Sequence, residues 1–166
     1  QEAGVYIGYN GTSFGILYQT GGAREIRTLT VTTGANAAGN TSVTLNGVAT
    51  NVAVTANNST TLTAYQISNG TYVGWTAMQV GATVIFVSNT STAATGSYSV
   101  SGQGVVGTFA QTQAGVATTD TWVAQASWNG DKLDGSGPSG MTINPQKGNV
   151  FEIGIQYLGF GVLTVK

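Results

Sequence analysis

Apolar side chains alternate with Thr, Ser and Asn along most of this chain, and Gly or Asn-Gly interrupts the alternation every few residues. That rhythm limits the fold more than any other feature. A period of two puts one set of side chains on each face of an extended strand. Thr is β-branched and suits a half-wet pleated surface, whereas Gly and Asn accept the positive φ of tight turns. Residues 4–9 (GVYIGY) and 13–18 (SFGILY) flank Asn10-Gly11, a strong hairpin signal. Residues 41–46 and 48–55 flank Gly47 in the same way. Residues 25–33 alternate cleanly except for a slip at Arg27–Thr28, where a bulge is expected. Residues 81–88, 97–110 and 121–128 read as further strands, and 149–165 as two strands bent at Gly159.

One segment leaves the period. In residues 59–68 (STTLTAYQIS), Leu62, Tyr65 and Ile67 fall near helical spacing, Ser59 can cap the start and Asn69-Gly70 the end. The expected fold is therefore mainly β and antiparallel, with at most one short helix.

Charge divides the chain. Every one of its 11 charged residues lies in 1–27 or 117–166, whereas 28–116 is uncharged and rich in Thr, Val, Ala and Asn. This predicts a β-sandwich-like base layer from 1–27 and 117–166, carrying residues 28–116 as an inserted β-rich module. Gln1 is not an initiator methionine and no leader precedes it, so the chain is expected to be a processed or excised piece.

Composition also removes chemistry. With no Cys and no His, the chain can offer no disulfide, thiolate nucleophile, cysteine–zinc site or imidazole base. A formal net charge of −1 gives no basic footprint for nucleic acid or an anionic membrane. No apolar run has the length of a membrane-spanning helix. Six Asn-x-Ser/Thr sequons arise from composition and assign nothing.

The most unusual stretch is residues 128–140 (WNGDKLDGSGPSG). Asn129, Asp131 and Asp134 could offer oxygen ligands to calcium, but the terminal acid of a calcium loop is missing. A long ordered loop, with Asx turns at the aspartates and Gly at positive-φ positions, is the preferred reading over a metal site. Gly135, Gly137 and Gly140 lack the Gly-Lys-Ser/Thr and following helix of a phosphate loop. Carboxylate catalysis needs two acids converging across a cleft, and Asp131 and Asp134 share one loop. Glu152 reads as a surface pair. A Ser or Thr nucleophile would have only Lys132 or Lys147 as base. No catalytic, metal or cofactor residue is assigned. Trp128 is expected to be mostly buried at the base of the loop, ordering 129–140 for an intersubunit or interdomain contact. Trp122, Trp128, Asn129, Asp131, Asp134, Pro138, Tyr157 and Phe160 are the candidate interface or loop-anchoring residues.

Residues 8–22 (GYNGTSFGILYQTGG) and 127–161 (SWNGDKLDGSGPSGMTINPQKGNVFEIGIQYLGFG) resemble a family of virion structural proteins of phages and large DNA viruses. The segment Gly107–Val116 is also similar to that family, so the resemblance spans nearly the whole chain. Two places depart from it: Asn144 stands where an Asp is common, and a His/Arg pair near Tyr18–Gln19 is missing. The resemblance implies a non-enzymatic particle component, such as a fibre, appendage or capsid-surface protein. Its expected partners are copies of itself, other virion proteins and a host-surface glycan or protein. Two other expectations stand beside it. One is a carbohydrate-binding adhesin module, which needs coplanar exposed aromatics. The other is a particle-borne polysaccharide hydrolase, which needs convergent carboxylates.

Overall fold

A computed structural model describes residues 3–144, 147, 153–155 and 163–165. The elements run β1 (Gly4–Tyr9), β2 (Phe14–Thr20), β3 (Ile26–Thr33), β4 (Gly39–Leu45), β5 (Val48–Val54), α1 (Thr60–Ser68), β6 (Trp75–Val80) and β7 (Thr83–Ser88). They continue with β8 (Ser99–Ser101), β9 (Val106–Gln113), β10 (Thr119–Ala124), a 3-10 turn (Gln125–Ser127), β11 (Ile153–Ile155) and β12 (Leu163–Val165). The chain is thus mainly β with a single α-helix among the described residues. It divides into two compact units, Gln1–Ala3 with Gln19–Thr119, and Gly4–Tyr18 with Asp120–Lys166.

The first unit holds two antiparallel sheets of order β6-β7-β3-β9 and β5-β4-β8. Alternation does the work in both. Leu29, Val31, Val84 and Phe86 from one sheet join Val43, Leu45, Val52 and Val54 from the other in a single buried cluster. Each such side chain contributes about 1.5–3 kcal/mol when fully buried. The β4–β5 hairpin turns at Asn46 and Gly47, both at positive φ (51° and 82°), the geometry a two-residue hairpin needs.

Helix α1 joins β5 to β6. Ser59 caps it by accepting the Leu62 N–H at 3.2 Å, and Asn69 closes it. Ala64 and Ile67 enter the core, and buried Thr63 accepts the Ala35 N–H at 3.0 Å. Tyr72 packs edge-on against Phe86 with ring centres 5.0 Å apart and donates its hydroxyl to the Ile67 carbonyl at 2.7 Å. Burial pushes that phenol well above its ordinary range. No helix among the described residues is long and apolar enough to cross a membrane.

The second unit contains the pair β11-β12, with Ile153 opposite Val165, and most of the sheet β1-β2-β10. Asn10 builds the β1–β2 connection by accepting the N–H groups of Thr12 (2.9 Å) and Ser13 (2.8 Å).

Several extents differ from the sequence reading. Residues 19–27 belong with the central unit, and the two-sheet core is built from residues 19–119. The stretch 97–110 is two strands, because Gly102, Gln103 and Gly104 all take positive φ and break it. The run 121–128 leaves the sheet after Ala124 and tightens into the 3-10 turn. The β3 irregularity falls one residue earlier than expected and on the partner strand. There, Thr112 is the extra residue between the pairs Ile26↔Gln113 and Arg27↔Gln111. Strand β6 was not expected at all. Trp75 and Ala77 on one face and Met78 and Val80 on the other hide its alternation.

Candidate functional site

The candidate residues of the second unit gather around the end of β10. Phe14 at the start of β2 meets the Trp128 ring with centres 6.2 Å apart. Trp128 donates its indole N–H to the Val123 carbonyl at 3.3 Å, and Trp122 donates its own to the Ser13 hydroxyl at 3.2 Å. Gly15 lets the two strands approach. A Cβ there would run into the Val123 carbonyl oxygen and lie 2.8 Å from the Trp122 ring. Trp128 has most of its surface covered, as expected, though it is not fully buried.

Beyond Trp128 the loop is held by its own polar groups. Asp131 accepts the Leu133 N–H at 2.8 Å through one oxygen and the Ser139 N–H at 2.7 Å through the other. The Ser139 hydroxyl and these two N–H groups hold its carboxyl below the ordinary range. Asp134 accepts the Ser136 hydroxyl (2.5 Å) and N–H (2.9 Å), with the same consequence. Gln125 reaches across from the 3-10 turn and donates to the carbonyls of Lys132 (2.7 Å) and Leu133 (3.0 Å). These bonds hold Leu133 at φ 52°, an uncommon conformation for a branched residue. Backbone bonds from Gly135 to Met141 (2.9 Å) and from Ile143 to Leu133 (2.8 Å) close the loop into a short two-stranded turn.

Asn129 and Pro138 are exposed on this loop. Tyr157, Phe160 and Glu152 lie outside the described residues. Among the described residues, no group of three or more acidic side chains is placed to hold a metal ion.

The first unit contains a polar cluster to which the sequence reading gave no role. Glu25, immediately before β3, is wholly buried. One of its oxygens accepts from Arg27 Nε at 2.5 Å, Gln111 at 3.2 Å and the Tyr98 hydroxyl at 3.5 Å. The other accepts the Ala94 N–H at 2.6 Å. The Arg27 guanidinium sits 4.2 Å above the Tyr98 ring centre, and Tyr98 meets Trp75 edge-on. Burial pushes the Glu25 carboxyl up. The Ala94 N–H, the Arg27 charge and the Gly115 N–H outweigh burial and hold it below its ordinary value. The sequence signal was present: Arg27 stands two residues from Glu25, on the same strand face.

The fold is mainly β and β-sandwich-like, and Glu25, Asp131 and Asp134 are each tied by hydrogen bonds into their own surroundings. Comparison of the chain with models of protein families, with curated proteins and with solved structures finds no match.

Proposed function

We propose that this chain is a non-enzymatic structural module of a virus particle, a fibre, appendage or capsid-surface component serving assembly or host attachment. The observation that carries the reading is what the acids do. Both oxygens of Glu25 and of Asp131 accept hydrogen bonds from their own fold, and Asp134 accepts two from Ser136. A general acid or nucleophile has to present its oxygen to a substrate. These carboxylates are used as staples for loops, as an exterior protein without disulfides requires. The resemblance of residues 8–22 and 127–161 to virion proteins supplies the setting, the extracellular particle.

The test is protein analysis of purified, nuclease- and protease-washed particles of the virus that encodes the chain. Recovery in many copies per particle is the expected result. Recovery only from cell debris would remove the reading.

One observation favours the adhesin alternative. Tyr6, Tyr9 and Tyr18 on β1 and β2 are each at least half exposed, and exposed aromatic faces suit sugar stacking. Glycan-array binding lost on Tyr9→Ala and Tyr18→Ala would shift the assignment from assembly to attachment.

A further inference from the structure

Strand β6 ends its sheet, and among the described residues no strand pairs beyond it. The phase of its ladder shows which backbone groups face outward. The Asn89 N–H donates to the Gly74 carbonyl at 2.9 Å, and this pair continues the register Trp75↔Ser88, Thr76↔Val87 and Met78↔Ile85. In an antiparallel ladder, hydrogen-bonded pairs alternate with non-bonded ones. Thr76, Met78 and Val80 therefore turn their backbone groups toward β7. Ala77 and Gln79 turn theirs to the open side.

Natural edges are protected by charge, proline, bulges or shortness. The other edges of this unit show such features. Strand β9 carries a bulge at Thr112 in a pairing with β3 that shifts register twice, and β8 has three residues. Strand β5 exposes one large apolar side chain, Val48, at its first residue beside the hairpin turn, and beyond it only Ala49, Asn51 and Ala53, which have little to bury. Strand β6 has six residues in unbroken register, with no charge and no proline. It also exposes large apolar side chains, Met78 at 54% and Val80 at 60%.

We infer that β6 is a pairing edge through which two copies of this chain join, antiparallel, about a twofold axis at Met78. This deepens the assembly reading above by naming the surface. In that register Ala77 faces the partner's Gln79 and Gln79 faces the partner's Ala77. The outward N–H and C=O groups of each copy then satisfy those of the other in four hydrogen bonds. Met78 meets its own counterpart in a close non-bonded pair, and Val80 meets the partner's Thr76 on each side. Electrostatics selects the occupant. A strongly charged strand would find no counter-charge on β6, whereas a second copy brings an equally neutral edge with the same exposed methionine. The result is a continuous sheet of eight strands with an uncharged outer face.

The chain has no cysteine, so one substitution gives a unique reporter. Facing Cα atoms in a non-bonded antiparallel pair lie about 4.5 Å apart, within disulfide reach. Under mild oxidation, Met78→Cys in the full chain should give at least about tenfold more disulfide-linked dimer than Tyr65→Cys, a position of closely matching exposure on α1. Adding Ala77→Pro removes only an outward N–H and should abolish the cross-link. Met78→Lys, on an exposed side chain, should convert a sedimenting dimer to monomer with an unchanged circular dichroism spectrum.

Equal cross-linking at the two cysteine positions would overturn the proposal. So would a parent chain that sediments as a monomer at high concentration, or a dimer that survives Met78→Lys. These readouts do not depend on the virus. A failed cross-link leaves the particle reading standing, and absence from particles leaves the edge standing.

Discussion

Arg27 Nε lies 2.5 Å from Glu25 Oε1, with Glu25 wholly buried and the Arg27 side chain still 18% exposed. The pair is asymmetric. Glu25 has traded its water for the Ala94 N–H, Gln111 and Tyr98, whereas Arg27 retains a path to solvent above the Tyr98 ring. Removing the acid leaves Arg27 partly hydrated, but it releases the 89–98 loop from the sheet. Glu25→Ala should destabilise the chain by about 3 kcal/mol, the low end of the range for breaking buried pairs. Equilibrium urea unfolding of parent and variant measures it.

The pH dependence follows from the same residue. The folded-state pKa of Glu25 lies below its ordinary value of 4.5, and Asp131 and Asp134 lie below 3.8. Groups lowered by folding contribute stability that is complete above their unfolded values and is lost as pH falls through the folded ones. Unfolding midpoints should therefore hold steady from pH 8 to 6, where no histidine titrates, and fall below about pH 4.5. Glu25→Gln should flatten that fall. An acid limb that rises would contradict the assignment.

Trp128 packs against Phe14 and is not fully buried. Trp128→Ala should cost about 2 kcal/mol, below the 3–5 kcal/mol of a fully buried aromatic. Gly15→Val should be worse tolerated, because its side chain would be driven into the Val123 carbonyl and the Trp122 ring. Thermal melts followed by tryptophan fluorescence distinguish the two.

Asp131 is a staple for the loop. Asp131→Ala should speed hydrogen exchange at the Leu133 and Ser139 amides by about tenfold or more while leaving α1 protected. A chelator should leave the melting temperature unchanged. A drop reversed by calcium would reassign Asp131 and Asp134 as ligands.

Tyr72 tests the helix docking. Tyr72→Phe keeps the contact with Phe86 and removes only the hydroxyl's bond to the Ile67 carbonyl, which still accepts the Gly70 N–H at 3.0 Å, so it should cost about 0.5–1.5 kcal/mol by urea unfolding.

What the sequence determined by itself is local. Alternation and turn residues specified the strands before and after Asn46-Gly47, and Ser59 with Asn69-Gly70 bounded α1, because caps, turns and strand faces are set by neighbours a few residues away. The Asx turns of Asp131 and Asp134 were legible for the same reason. Only the tertiary structure decided what depends on distant partners. Strand β3 lies between β7 and β9, more than fifty residues downstream, and this arrangement brings Gln111 and the 94–98 segment onto Glu25, turning an ordinary surface-type acid into a buried one. Strand β6 escaped notice because both of its faces are apolar: one packs in the core, and the other remains exposed beside an edge that still has hydrogen bonds to make. Burial and edge position belong to the assembled sheet, and a one-dimensional pattern of side chains does not encode them.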